Sequence, residues 1–146
     1  MNTFILIITG ILGAVLTFYI SENKKQGAVR ASALLSLIVG LFFYCFPELL
    51  NPYLTKHIPI VFVGTSFIGM VSSKTVANQK TIALAGILFT IIYINKNEVF
   101  EGYGGALGTM AFIALLASMG FVVFISKTNE TKQQVTSFIK KILNKE

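Results

Sequence analysis

Thr3-Phe4-Ile5-Leu6-Ile7-Ile8-Thr9-Gly10-Ile11-Leu12-Gly13-Ala14-Val15-Leu16-Thr17-Phe18-Tyr19-Ile20 holds no charged residue at all. At about 1.5 Å rise per residue, a helix of this stretch nearly matches a bilayer core about 30 Å thick. Met1-Asn2-Thr3 offers no basic cluster of the kind that begins a cleaved signal, so the run is expected to remain as a helix.

Four more uncharged runs follow: Ala31 to Phe46, Ile58 to Ser73, Thr81 to Asn95 and Tyr103 to Ser126. Charged residues are only 12% of the 146 positions while 54% are hydrophobic, and the mean hydropathy is +0.75. An ordinary soluble domain is roughly one-quarter charged. This chain lacks the residues for a water-facing shell, so its outer surface must face an apolar solvent, and the bilayer is that solvent. The expected fold is an all-α integral membrane protein with five transmembrane helices in one domain, residues 1–126. The spans fall at about 3–20, 31–46, 58–73, 81–95 and 103–126.

The third and fourth runs are short for a full crossing. Lys74, Lys80 and Lys96 at their ends can snorkel, which lets the adjoining backbone sit below the headgroups. A re-entrant hairpin is the rival reading, but it would carry Lys74 and Lys80 into the membrane with no acidic partner nearby.

Five spans place alternate loops on alternate sides, and the basic residues divide accordingly. Lys24, Lys25, Arg30, Lys74, Lys80, Lys127, Lys132, Lys140, Lys141 and Lys145 share one side, against Lys56 and Lys96 on the other. The positive-inside rule then predicts an outer N-terminus and a cytoplasmic C-terminus, in a plasma (cytoplasmic or inner) membrane. Tyr44, Tyr53, Tyr93 and Tyr103 fall at the ends assigned to the outer interface, where an amphipathic ring is well accommodated. The loop from Pro47 to His57 is apolar enough to lie along that interface, and Pro59 is expected in the first turn of the third helix, where its missing N–H costs nothing.

Residues 127–146 form a basic tail. Val135, Phe138, Ile139, Ile142 and Leu143 follow the spacing of one helical face, and Lys132, Lys140, Lys141 and Lys145 flank it. A separate amphipathic helix on the anionic cytoplasmic leaflet is expected, with packing on a soluble partner as the alternative.

Chemistry is sparse. The net charge of +6 is spread over short connectors that no soluble domain gathers into a face, so anionic lipid headgroups are expected as partners and nucleic acid is not. Cys45 is the only cysteine and His57 the only histidine, and all six acidic residues are glutamates. That set supplies no metal cage and no nucleophile beside a base, so no catalytic residue, metal or cofactor is expected. Arg30 and His57 lie near span ends, as interface anchors. An enzyme acting on lipid would have to draw on His57, Glu98 and Glu101.

Small and hydroxylated residues at helical spacing are the remaining signal. Ser32, Ser36 and Gly40, then Thr65, Gly69 and Ser73, then Gly104 with Gly108 and Ala114 with Ser118, let helix backbones approach closely in lipid. Gly64-Thr65-Ser66 and Gly108-Thr109 look alike, as do Leu37 to Tyr44 and Gly86 to Tyr93, which suggests a parallel repeat of helices two and three as helices four and five. On that reading Gly64, Thr65, Ser66, Gly69, Gly104, Gly108 and Thr109 line an uncharged seam for a small solute or ion. The first functional expectation is therefore a transporter or channel subunit, working as a homodimer or with other membrane subunits. The alternative is a non-catalytic accessory, assembly or immunity-type protein that docks other membrane helices.

Overall fold

The computed structural model describes residues 2–24, 27–72, 78–95 and 104–143, with side chains to residue 128. Five helices are found, and no strand among the described residues. Helix α1 (Asn2–Asn23) buries small residues through its middle. Phe4, Ile8, Leu12 and Leu16 form an exposed stripe at four-residue spacing, while Gly10, Gly13, Ala14 and Thr17 are buried between the larger buried Leu6 and Phe18. Gly27 then turns the chain at φ +82°, a conformation that costs only glycine nothing. Its carbonyl accepts the first hydrogen bond of α2 (Ala28–Cys45), from Ala31 N–H at 3.1 Å.

Helix α3 (Pro52–Ile68) begins six residues before the expected start at Ile58 and ends five before Ser73. The Asn51 side chain accepts from Leu54 N–H at 3.1 Å, and Pro52 stands in the first turn. That pair is a helix-starting signal which outweighs the interruption of the apolar run by Lys56 and His57. The expectation for Pro59 is corrected accordingly: it lies inside the helix, and Pro52 takes the costless position. Helix α4 (Gln79–Ile94) stops at Asn95, whose side-chain amide donates to the Ile91 carbonyl at 2.8 Å.

Helix α5 (Gly104–Leu143) is one uninterrupted helix of 40 residues, about 60 Å long. The expected separate amphipathic tail helix is thus corrected to a continuation of α5. The reason is that Ser126 to Val135 reads as polar, yet it contains neither glycine nor proline to break the helix. The side chains expected at the membrane surface (Val135, Phe138, Ile139, Lys140, Lys141, Ile142 and Leu143) lie outside the described side chains.

Helices α1, α3 and α4 pack mutually and form the centre of the bundle; α2 leans on α1 and α3, and α5 on α3 and α4. The core runs through Leu6, Leu54, Ile58, Val61, Ile68, Ile82, Phe89 and Met110. One of its close points is a crossing of α1 and α4 where glycine meets glycine. A Cβ placed on Gly86 would stand 2.7 Å from the Gly10 carbonyl oxygen, and one placed on Gly10 would stand 2.9 Å from the Gly86 carbonyl and run into Thr90 Oγ1. Backbone contact of this kind is what membrane helices use in place of the hydrophobic effect, because lipid tails are as apolar as their side chains.

Among the described residues, three helices are long and apolar enough to cross a membrane: α1, α2 and the Gly105–Thr128 part of α5; α4 is apolar but shorter. This makes the chain a membrane protein by length and composition.

Gly86→Ala is expected to destabilise the folded protein by about 1–3 kcal/mol through overpacking against backbone that has nowhere to go. Gly40→Ala and Gly108→Ala, where a Cβ meets nothing within 4 Å, are expected to change little. Unfolding midpoints of the three variants in one detergent check this.

Candidate functional site

Gly64-Thr65-Ser66 near the C-terminal end of α3 are three successive residues about 100° apart around the helix, and they address three different neighbours. Gly64 leaves the room that the Phe89 ring of α4 occupies, so that a Cβ there would collide with it. Thr65 is fully buried and presents Oγ1 to Gly13 of α1, while its hydroxyl donates back to its own helix, at 2.8 Å from the Val61 carbonyl and 3.2 Å from that of Phe62. Ser66 faces α2, with Oγ 2.7 Å from Ser32 Oγ and 3.4 Å from Ser36 Oγ.

The proton count within the serine cluster follows from chemistry. Ser66 Oγ lies 2.7 Å from the Val63 carbonyl and has one hydrogen to give. With that hydrogen on Val63, its two lone pairs accept from Ser32 and Ser36. The weight of this clip is clear from α2 itself, whose only buried residues are Ala31 and Ser32. Two polar hydrogen bonds therefore hold a helix that otherwise contributes little to the core.

One turn lower, Gly69 meets α1 so closely that an added Cβ would stand 2.6 Å from the Thr17 Cβ. Thr17 Oγ1 is buried without a hydrogen-bond partner among the described residues.

Of the expected seam residues, Gly64, Thr65 and Ser66 are thus together in α3 and Gly69 caps its end, but each faces a different helix or level. Gly104 opens α5. A Cβ on Gly108 would meet nothing within 4 Å, and Thr109 is exposed with its hydroxyl donating to the Ala106 carbonyl at 2.9 Å. The structure does not bring Gly108 and Thr109 to the α3 group, and the surroundings of Gly104 lie outside the described residues. The physical reason is that α5 turns Met110, Ala111, Ala114 and Ser118 toward the core instead. The two halves of the suggested repeat also sit differently: α2 is largely exposed, whereas α4 buries Thr81, Ile82, Ala85, Gly86, Phe89, Thr90 and Tyr93. Among the expected packing residues, Ser32, Ala114 and Ser118 are buried and Ser36 is half-buried, while a Cβ on Gly40 would meet nothing within 4 Å.

A second polar group lies at the other end of α3 and α4. His57 Nδ1 is 2.7 Å from the Tyr93 hydroxyl, and the Tyr53 ring packs on the His57 ring at 4.3 Å between centroids. Tyr93 is only 3% exposed, so its expected place in an outer aromatic belt is corrected: the ring is core, stacked on Phe89, and its hydroxyl is spoken for by the histidine. His57 lies within α3 rather than ahead of it. Ser73, Lys74, Lys96, Glu98, Glu101 and Tyr103 lie outside the described residues.

Sequence reasoning missed Gly10, Gly13, Ala14 and Thr17 on α1 and Gly86 with Thr90 on α4. Their signal was present as small residues at spacings of three and four, the pattern noted elsewhere in the chain. No family model matches the chain, and no curated protein or solved structure matches it either.

Ser66→Ala is expected to cost about 1 kcal/mol, since interhelical hydrogen bonds in membranes average roughly 0.6 kcal/mol each. A double-mutant cycle with Ser32→Ala, read from unfolding in mixed micelles, should return a coupling of about that single-bond size.

Proposed function

We propose that this chain is a five-span plasma-membrane protein, N-terminus outside and C-terminus in the cytoplasm, that works without catalysis as an accessory or docking subunit for other membrane helices. The observation that carries the reading is the filled interior at Gly64-Thr65-Ser66, where Phe89, Gly13 and Ser32 each close one side of α3. A bundle packed this way offers its function on its outside. The outside is extensive: Leu34, Leu37, Ile38 and Leu41 of α2 and Phe112, Ile113, Leu116 and Phe124 of α5 are exposed. Lipid satisfies such faces, and so do the helices of a partner.

Five spans rather than three follow from the connectors and the charges. Helices α3 and α4 have 17 and 16 residues, so they fit a locally thinned bilayer or one reached by snorkelling ends such as the exposed Lys56 and Lys80. Their central place among longer apolar helices keeps them at the same depth. Ten of twelve basic residues then share the cytoplasmic side.

Transport keeps one observation in its favour, the hydroxyl cluster of Ser32, Ser36 and Ser66, half-open at Ser36. In a Cys45→Ala background, single cysteines at Glu48, Lys127, Thr65, Ser36 and the exposed Leu116 separate the readings. With a small membrane-impermeant thiol reagent, Glu48→Cys should label in intact cells and Lys127→Cys only after permeabilisation, while the other three stay dark. Labelling of Thr65→Cys and Ser36→Cys would replace docking by a water-filled path, and labelling of Lys127→Cys in intact cells would reverse the orientation.

A further inference from the structure

We propose that the turn ending α3, Gly69 to Val71, is a latch that seats on α1 at Thr17 and lifts away from it without unfolding the rest of the bundle. The inference goes beyond docking by the outer faces and does not depend on it.

A threonine in an apolar helix can satisfy its hydroxyl by donating to a carbonyl three or four residues earlier. Thr9, Thr65, Thr90, Thr109 and Thr128 do so, at 2.8–2.9 Å. Thr17 does not: it is fully buried, and its Oγ1 has no hydrogen-bond partner among the described residues. A buried donor without an acceptor opposes the fold by more than a made hydrogen bond favours it.

Gly69 lies against this threonine. A Cβ placed on Gly69 would stand 2.6 Å from the Thr17 Cβ and 2.9 Å from the Phe18 nitrogen, and it would run into the Ala14 carbonyl oxygen, one of the two acceptors within reach of a Thr17 hydroxyl in its own helix. The notches at Gly10 and Gly13 are arranged the other way round: the Oγ1 of Thr90 or Thr65 is the atom nearest the glycine, with its proton returned to its own helix. The segment that seats on Thr17 is also weakly bonded to α3. Gly69 is the cap of that helix, and the Met70 and Val71 N–H groups reach back only three residues, to the Phe67 and Ile68 carbonyls, at 3.3 Å each. Bonds of that span have poorer geometry than those of an α-helix. When the turn lifts, the Ala14 carbonyl and the Thr17 side chain are released together, and the hydroxyl donates as the other threonines do. The seated state therefore carries an opposing contribution that the lifted state lacks, which lowers the free energy of local opening at this end of α3.

The test is amide hydrogen exchange on the full chain in vesicles of phosphatidylcholine and phosphatidylglycerol, read by mass spectrometry for residues 69–72 and, as a reference, for residues 86–94 of α4. Thr17→Val keeps the shape of the side chain and removes the donor. It should slow exchange at 69–72 by at least about fivefold, the effect that relieving an unmade buried hydrogen bond implies, and leave 86–94 unchanged. Thr90→Val removes a donor that is already satisfied, so it should not slow exchange at 69–72. Gly69→Ala, whose Cβ has no room in the seated position, should speed exchange there, and adding Thr17→Val to it should bring no slowing. Unchanged or faster exchange at 69–72 in Thr17→Val would overturn the latch, because the hydroxyl then has a partner such as a buried water. Equal slowing in both regions would overturn it as well, because the opening would then be that of the whole bundle. If Gly69→Ala does not fold, the two valine variants decide the matter alone. None of these outcomes bears on cysteine labelling at Thr65 or Ser36, so the two proposals fail separately.

Discussion

The contact between Gly10 and Gly86 sets the distance at which α1 and α4 pass each other, and the remaining packing is built around that distance. With no side chain between them, the two backbones meet, and the Thr90 hydroxyl tucks against the same point while donating to the Gly86 carbonyl at 2.9 Å. Gly13 and Gly69 then let α3 come equally close to α1 from the other side. Dispersion and Cα–H contacts fall off steeply with separation, so helices that approach this closely gain in lipid what water-expelled surface would supply elsewhere.

Hydroxyl groups in this bundle are used in two ways. Thr65 and Thr90 return their protons to their own helix and so enter the glycine notches with their donors already satisfied. Ser32, Ser36 and Ser66 bridge two helices instead. The first arrangement permits contact, and the second specifies which face of α2 makes it. A purely apolar α2 could rotate on α1 and α3 with small loss, whereas the serine cluster has one rotational setting in which its hydrogen bonds form.

Much of the fold was legible because charge is so scarce that each uncharged run marks a helix; α1, α2 and α4 fall within a few residues of their runs. The start of α3 is hidden by Lys56 and His57, which interrupt the apolar run, whereas the helix-starting pair is Asn51-Pro52 ahead of them. The length of α5 is not legible from polarity, because a polar stretch without glycine or proline does not break a helix. The inward faces were the hardest part. In water a helix shows its buried side by polarity, but here both sides are apolar, so Gly108 and Gly64 read alike although one is open and the other filled. Tyr93 was misplaced for the same reason, since its partner His57 comes 36 positions earlier in the chain and on another helix.

The small residues in the middle of α1 have a consequence for how such a sequence can vary. In a soluble core, volume and oiliness are constrained at the same positions, and the surface is released from both. Here they separate: the interior at Gly10, Gly13 and Ala14 is restricted in volume, while Phe4, Ile8, Leu12 and Leu16 on the lipid side are restricted in polarity but free in shape. Sequence drift along α1 should therefore interchange leucine, isoleucine, valine and phenylalanine on one side and leave the other almost still, so that an alphabet of small residues, rather than a hydrophobic stripe, becomes the durable signature of the bundle.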